Sequence, residues 1–267
     1  MRSPLARALL NTPDIEVWPA SVLRARGNRD ARVISRATQV LRRKRDGAYV
    51  AAVLPEGVLG LLPGWQRALG IDDALDLLDA GVAPGPQDTA PTLPLSQVET
   101  RLDALGLDAA GYAARTGLAL VAEPAWLSLA GEDRYRRPLW LEAETARAWH
   151  RLRAAAARDD IVLEAVSGYR SHAYQLGIFE RKRARGLSLD AILAVNAAPG
   201  YSEHHAGSAL DISAPGEPAA EDSFERTSAF DWLTGRARDH GFTMSYPRDN
   251  PHGIVYEPWH WRYRPAG

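Results

Sequence analysis

The 267-residue sequence contains no cysteine. This absence excludes disulfide bonds, thiolate nucleophiles and zinc sites built from cysteine. Any transition-metal site in this chain must therefore use histidine, aspartate and glutamate side chains. The seven histidines are unevenly placed, because none of them occurs before His150. A metal site built on them belongs to the second half of the chain.

The sequence also lacks a strong net charge and a long apolar run. Its formal net charge of -1 gives no reason to expect binding to nucleic acid. No apolar run reaches about 18 residues, the length that predicts a membrane span. The apolar patch Leu5–Leu10 is interrupted by Arg7 and is too short for a secretory signal. We therefore expect a cytoplasmic protein, and a periplasmic one if the natural start lies upstream.

The pattern divides the chain into two predicted domains, residues 1–92 and residues 93–267. The Pro-rich stretch Val82–Pro94 predicts a linker at the end of the first domain. No motif in residues 1–92 carries chemistry, so the role of this domain is unknown from the sequence. The sequence does not indicate an oligomeric state.

Two patterns stand out in the first domain. Strand-like runs flank Asp46 and Gly47, a turn pair that predicts a β-hairpin. The leucine spacing predicts an amphipathic helix over Trp65–Leu78. The basic run Arg42–Arg45 is expected at the solvated end of the hairpin, with contact to an anionic partner as the alternative.

The second domain mixes helices with short strands. A helix is predicted over Leu95–Leu107, beginning at Ser96 with Glu99 as its capping-box partner. A longer helix is predicted over Leu141–Asp160, followed by a strand over Ile161–Val166. Because strands and helices do not alternate regularly, we expect an α+β fold. It has a small antiparallel sheet flanked by helices, together with the small N-terminal domain.

Three short stretches of the second domain carry residues suited to one metal-dependent hydrolase site. PGYSEHHAGSALDIS supplies His204 and Asp211, EPWHWRY supplies Glu257 and His260, and SGYRS supplies Arg170. A strand at ALDIS turns Asp211 away from the core residues on either side of it. A strand at WHWRY buries the tryptophans and turns His260 towards the same cleft.

Two imidazoles and one carboxylate leave a fourth tetrahedral position for water, as in catalytic zinc sites. Zinc lowers the pKa of its bound water towards neutrality. Glu257 is suited to take that proton and pass it to a leaving amine. Arg170 is suited to offset an oxyanion or to bind a substrate carboxylate. These residues predict a metallopeptidase that uses Zn²⁺.

The combination S-x-H-x-x-G-x-A-x-D with E-x-W-H resembles the zinc D-alanyl-D-alanine carboxypeptidase family, which includes the vancomycin-resistance carboxypeptidases. Ser202, His204 and Asp211 occupy fixed places of the first motif, as do Gly207 and Ala209. The resemblance covers roughly Gly117 to Arg264 and omits residues 1–92.

The resemblance implies His204, Asp211 and His260 as zinc ligands and Glu257 as the catalytic base. It further implies that Arg170, Gln175 and Ser202 bind the terminal D-residue of the substrate and its carboxylate. We expect Tyr169, presented beside Arg170 by the SGYRS turn, to contact substrate as well.

The other histidines have no motif role. His205 follows a predicted ligand. It either contacts the metal ligands or the substrate, or it has no role in the site. The remaining four are expected to be structural or at the surface: His150, His172, His240 and His252.

The resemblance implies removal of the terminal D-alanine from peptidoglycan stem peptides. We favour an L,D-carboxypeptidase that acts on tetrapeptide muropeptides in cell-wall recycling, because cytosolic members of this kind exist. A D,D-carboxypeptidase acting on pentapeptides and a peptidoglycan endopeptidase are the enzymatic alternatives. A muropeptide-binding module without activity is the non-enzymatic one.

Overall fold

The computed structural model describes residues 8–81 and 90–265. The strands are β1 (Ala8–Asn11), β2 (Ile15–Pro19), β3 (Gln39–Arg43), β4 (Tyr49–Leu54), β5 (Gly57–Gly60), β6 (Trp126–Glu132), β7 (Pro138–Leu141), β8 (Glu164–Ser167), β9 (Ala209–Ser213), β10 (Phe242–Met244) and β11 (His260–Tyr263). The helices are α1 (Asn28–Ile34), α2 (Ile71–Asp79), α3 (Val98–Asp103), α4 (Ala109–Thr116), α5 (Ala143–Arg158), α6 (His172–Ala184), α7 (Leu189–Leu193) and α8 (Ser228–Arg236). Antiparallel sheets combined with helices confirm the predicted α+β class.

A seven-stranded sheet has the order β5-β4-β3-β2-β1-β6-β7. The predicted hairpin is confirmed, because β3 and β4 pair on either side of Gly47, whose φ is 69°. Helix α2 packs Ile71 and Ala74 into an apolar cluster with the sheet residue Leu41. The predicted helix over Trp65–Leu78 begins later, because Gly70 at φ 73° interrupts the helical backbone.

This sheet joins residues that were predicted to lie in different domains. Strand β6 pairs with β1, with Ala8 opposite Ser128, and β7 follows β6 as the edge strand. The sheet was not predicted, although its hairpin was. A domain division at residue 92 stays a prediction, and residues 82–89 of the predicted linker lie outside the described residues.

A four-stranded antiparallel sheet has the order β10-β11-β9-β8 and carries the candidate site. Leu210 and Ile212 of β9 face the main core, where they meet Trp149 and Leu152 of α5. Helix α5 confirms the helix predicted over Leu141–Asp160, and its N-terminus is capped by Glu142, whose carboxylate accepts from the Thr145 amide at 3.0 Å. The sheet is thereby fixed against one long helix.

The boundaries of two other elements differ from prediction. The capping box at Ser96 is wrong, because α3 begins at Val98, whose amide already donates to the Leu95 carbonyl at 3.0 Å. The strand predicted from Ile161 begins at Glu164, because the Ile161 amide still closes the last turn of α5 on Ala156. No helix in residues 8–81 and 90–265 has the length and apolar character needed to cross a membrane.

Candidate metal centre and catalytic pocket

The three predicted metal ligands converge. One ligand atom each from His204, Asp211 and His260 lies within 4.8 Å of the others, and all three residues are buried. His204 lies on a short 3₁₀ helix, Asp211 at the middle of β9 and His260 at the start of β11. Asp211 and His260 are register partners across the β9–β11 pair, so the sheet itself sets their separation.

The turn between His204 and Asp211 depends on Gly207. This residue has φ 69°, a conformation that side chains with a Cβ rarely adopt. A Cβ there would also lie 2.8 Å from the Glu142 amide nitrogen. The close approach lets the Glu142 amide donate to the Gly207 carbonyl at 2.9 Å, which seats the ligand-bearing turn on the start of α5.

Hydrogen bonds orient both histidine rings. His204 Nδ1 lies 2.7 Å from the Gly168 carbonyl, which leaves Nε2 directed at the centre. That Nε2 is buried and finds no hydrogen-bond partner among the described residues, although Asp211 Oδ1 is 3.3 Å away. His260 Nδ1 is also 3.3 Å from Asp211 Oδ1. A buried nitrogen held towards a carboxylate without a hydrogen bond fits a metal-binding centre.

Glu203 completes the surroundings of His260, and the sequence reasoning missed it. Glu203 Oε2 lies 2.9 Å from His260 Nε2, and Oε1 accepts from Arg262 at 2.8 Å. Burial opposes the charge on Glu203, but these partners hold its pKa well below the usual range. A carboxylate on the outer nitrogen of a ligating histidine fixes its tautomer. The signal was present as the acidic residue that precedes His204 in the motif.

Glu257, the predicted base, lies beside the three ligand candidates. Its Oε2 is 3.8 Å from His260 Nδ1, and the residue is largely buried. Burial raises the pKa of Glu257 to about 7, with the Asp211 charge adding to the increase and His260 and Arg170 opposing it. A carboxyl group with such a pKa can accept and return a proton near neutral pH.

Arg170, Gln175 and Ser202 line the same pocket as the metal-ligand candidates and Glu257, a cavity of about 270 Å³. Arg170 Nη2 lies 3.4 Å from Asp211 Oδ2, which puts its guanidinium next to the centre. Arg170 Nε and Gln175 Oε1 are buried without hydrogen-bond partners among the described residues. A donor and an acceptor left unpaired in one pocket suit a polar ligand.

Tyr169 does not line this pocket. Its hydroxyl donates to Glu123 and accepts from Asn11 Nδ2 at 3.0 Å, and its side chain faces a neighbouring cleft. Burial, together with the adjacent Glu123 charge, raises the pKa of Tyr169 well above its ordinary value. These contacts anchor the turn that presents Arg170.

The expectation that the basic run Arg42–Arg45 is solvated is wrong for Lys44. Its Nζ is buried and lies 2.6 Å from Glu123 Oε2, a pair that spans the two predicted domains. Glu123 Oε1 also accepts from the His172 amide at 2.8 Å. Burial by itself raises the pKa of Glu123, but Lys44 and His172 overcome it and lower that pKa to about 2. Lys44 is buried because a partner far along the chain neutralises it.

His205 is a structural contact to Arg170. Its Nδ1 donates to the Arg170 carbonyl at 2.7 Å, and its Nε2 accepts from the Gly200 amide at 3.1 Å. One donor and one acceptor define a neutral ring, and burial lowers the pKa of His205 well below its ordinary value. The ring packs edge-to-face on His172 at 4.3 Å, so these two histidines link the Glu123 cluster to Arg170.

Comparison with known proteins agrees with the motifs. The family model VanY, D-alanyl-D-alanine carboxypeptidase, matches residues 138–266. The bifunctional D-Ala-D-Ala dipeptidase and D-Ala-D-Ala carboxypeptidase VanXYC of Enterococcus gallinarum is 36% identical over 135 residues, which cover 47% of this chain and 67% of that protein. A D-alanyl-D-alanine carboxypeptidase of Enterococcus faecalis is 34% identical over 119 residues, covering 41% of this chain and 42% of that protein.

Solved structures include similar chains. The LdcB LD-carboxypeptidase is 33% identical, with 50% of this chain and 64% of that chain covered and a TM-score of 0.46. Residues 138–266, which the family model matches, contain the three ligand candidates and Glu257 but exclude β1 to β6. Most of the seven-stranded sheet therefore lies outside the matched part of the chain.

Proposed function

Because the chain belongs to the VanY family of D-alanyl-D-alanine carboxypeptidases, we propose that it is a zinc carboxypeptidase that removes the terminal D-alanine from peptidoglycan stem peptides. The observation that carries this proposal is the convergence of His204, Asp211 and His260, with Glu257 beside them. We further propose an L,D-carboxypeptidase that acts on tetrapeptide muropeptides in cell-wall recycling.

The proposed zinc ligands are His204 Nε2, His260 Nδ1 and the Asp211 carboxylate. Their fit to zinc is supported by the unpaired, buried Nε2 of His204 and by the Glu203 contact on the far side of His260. When bound, Zn²⁺ supplies a Lewis acid that activates water and polarises the scissile carbonyl.

The roles of the chain's own residues follow from their positions. Glu257 takes a proton from the attacking water and returns it to the leaving amine of D-alanine, for which its raised pKa is suited. Arg170 offsets the negative charge that develops on the carbonyl oxygen. Gln175 and Ser202 bind the terminal D-residue from the pocket wall.

The preference for an L,D bond is supported by Lys182 and Asn196, two polar residues that also line the pocket. In a tetrapeptide, the residue before the terminal D-alanine is a diamino acid with a long polar side chain, which needs polar partners. In a pentapeptide the residue before the terminal D-alanine is another D-alanine, whose methyl group forms no hydrogen bonds with polar partners. The D-Ala-D-Ala carboxypeptidase activities of the Enterococcus relatives favour the D,D alternative.

One experiment separates these functions. Zinc-loaded protein is incubated with tripeptide, tetrapeptide and pentapeptide muropeptides, and the products are identified by mass spectrometry with an assay for free D-alanine. Release from tetrapeptide supports the proposal, whereas release from pentapeptide that stops at tetrapeptide supports the D,D alternative. Cleavage within the stem identifies an endopeptidase, and intact muropeptide that remains bound identifies a binding module. Glu257→Gln is the control that keeps the ligand set.

The recycling role also implies that the protein works in the cytoplasm, where returned wall fragments are processed. Fractionation of cells with an antibody against the chain tests this part. Recovery of the protein outside the cytoplasm contradicts the recycling role while leaving the carboxypeptidase proposal intact.

A further inference from the structure

A second cleft adjoins the catalytic pocket. It has a volume of about 180 Å³, and Arg170 lines both cavities. Its walls include Trp18 on β2 and Arg42 on β3, which lie outside the part that the family model matches, and Trp140 on β7 and Tyr174 on α6, which lie inside it. We call it the aromatic cleft. Residues before position 138 and residues within 138–266 both line the cleft, so the part that the family model matches does not form it alone.

The charges in the aromatic cleft are internally balanced. Arg42 Nη1 lies 2.6 Å from Glu16 Oε2, and Arg137 Nε lies 2.6 Å from Asp133 Oδ2. Arg42 and Arg137 thus have carboxylate partners within the cleft, and the third guanidinium, that of Arg170, has Asp211 Oδ2 at 3.4 Å in the adjoining pocket. Each of these three guanidinium groups has a carboxylate neighbour. The cleft offers donors and acceptors side by side, which suits a neutral ligand that carries both.

The aromatic rings give the cleft an apolar surface. Trp18 packs edge-to-face on Trp140 at 5.3 Å, and Glu16 holds the Trp18 indole by a hydrogen bond of 2.8 Å. Tyr174 is 40% exposed, although it is an aromatic residue. Such rings, held in place by neighbours, are suited to pack on the flat C–H face of a ligand.

Trp140 adds an unpaired donor. The residue is only 4% exposed, and its Nε1 has no hydrogen-bond partner among the described residues. A buried indole N–H without an acceptor is costly, and this one belongs to a residue that lines the aromatic cleft. The wall of the aromatic cleft therefore includes a donor that no described residue satisfies.

We propose that the aromatic cleft binds an N-acetylated sugar of the muropeptide, so that the protein acts on the glycan-bearing substrate in preference to the free stem peptide. A pyranose ring presents apolar C–H faces to aromatic rings, and its hydroxyl and acetamido groups present both donors and acceptors to the paired charges. An acidic stem peptide fits less well, because the three arginines that line the cleft already have carboxylate neighbours. This inference rests on the proposed function for its substrate class and adds the part of the substrate that lies away from the scissile bond.

The test compares kcat/KM for disaccharide-tetrapeptide with that for free tetrapeptide. The wild-type protein is expected to favour the disaccharide form by about tenfold through a lower KM, equivalent to one good contact. Trp18→Ala is expected to remove this preference by raising KM for the disaccharide form. Tyr174→Ala, at an exposed ring, is a second variant that leaves the core packing unchanged. Trp232→Ala is the matched control, because Trp232 on α8 is also half-buried but donates its indole N–H to Asp159 at the end of α5 and does not line the cleft.

A binding measurement keeps this inference separate from the proposed function. Saturation-transfer NMR with the peptide-free disaccharide is expected to show contact in the wild-type protein and loss of contact in Trp18→Ala. If free tetrapeptide is hydrolysed but the disaccharide neither binds nor lowers KM, the cleft inference is overturned and the function stands. If the disaccharide binds but no stem peptide is cut, the proposed function fails and the sugar site stands. Equal KM increases for both substrates in Trp18→Ala place the peptide in the cleft and also overturn the inference.

Discussion

The buried pair of Lys44 and Glu123 allows a quantitative prediction for Lys44→Met. The substitution keeps most of the apolar stem but leaves the Glu123 carboxylate buried without its cationic partner. The difference between its ordinary pKa of 4.5 and about 2 in the folded protein corresponds to about 3 kcal/mol in favour of the charged form. Breaking a buried pair costs about 3 to 5 kcal/mol in other proteins. We therefore expect Lys44→Met to lower the free energy of unfolding by about 3 kcal/mol near neutral pH.

The pH dependence of this loss has a definite sign. In the wild-type protein the folded pKa of Glu123 lies below the unfolded value, so its stabilisation is present above pH 4.5 and is lost as the pH falls towards about 2. Without Lys44, we expect burial to outweigh the remaining partners His172 and Tyr169 and to raise the folded pKa of Glu123 above the unfolded value. The variant then loses stability as the pH rises through that range. The difference in the free energy of unfolding between the wild-type protein and Lys44→Met should therefore become smaller in acid.

Urea unfolding followed by circular dichroism, near pH 7 and near pH 4, measures both effects. Arg45→Met is the matched control, because Arg45 is the exposed neighbour in the same basic run and should change stability by less than about 0.5 kcal/mol. The double variant Lys44→Met/Glu123→Gln should recover much of the loss, because no buried charge remains. A loss below about 1 kcal/mol near neutral pH, or an equal loss at both pH values, would refute this reasoning.

The remaining predictions concern the centre itself. Glu257→Gln should lower kcat by about 10²-fold to 10⁴-fold with zinc still bound, and unchanged turnover would exclude it as the base. His204→Ala should abolish stoichiometric zinc binding in metal analysis; retained stoichiometry would contradict its role as a ligand. Glu203→Gln should weaken zinc affinity about 10-fold to 100-fold in a chelator competition assay, whereas wild-type affinity would leave it a purely structural residue. Gly207→Ala should lower stability by about 2 kcal/mol in thermal or urea unfolding, because of its left-handed backbone, and an unchanged midpoint would show that the turn can adapt.

The ligand candidates could be predicted because local patterns specify them. Alternation along β9 separates Asp211 from its core neighbours Leu210 and Ile212, and a strand at β11 orients His260 in the same way. Glu257 lies three residues before His260, so it follows once that strand is known. Strand alternation and sequence spacing are therefore enough to predict most residues of the centre.

Other features depend on contacts that leave no local signal. Lys44 lies in a basic run that is typical of a solvated turn, and its partner Glu123 lies 79 residues away. Strand β6 pairs with β1, with Ser128 opposite Ala8, although the two strands lie far apart along the chain. No periodicity in either segment indicates this pairing. Glu203 is an ordinary acidic residue until the fold places His260 and Arg262 against it. Long-range pairing, rather than propensity, decides these positions.

The direct pairing of Asp211 with His260 in neighbouring strands constrains how such a chain can change over generations. A one-residue insertion or deletion within β9 or β11 would turn one of these side chains to the opposite face of the sheet, whereas length changes in the loop between β9 and α8 leave the pairing register intact. Descendants of this chain can therefore vary that loop in length, while the two strands and the segment that carries β10 and Glu257 keep theirs.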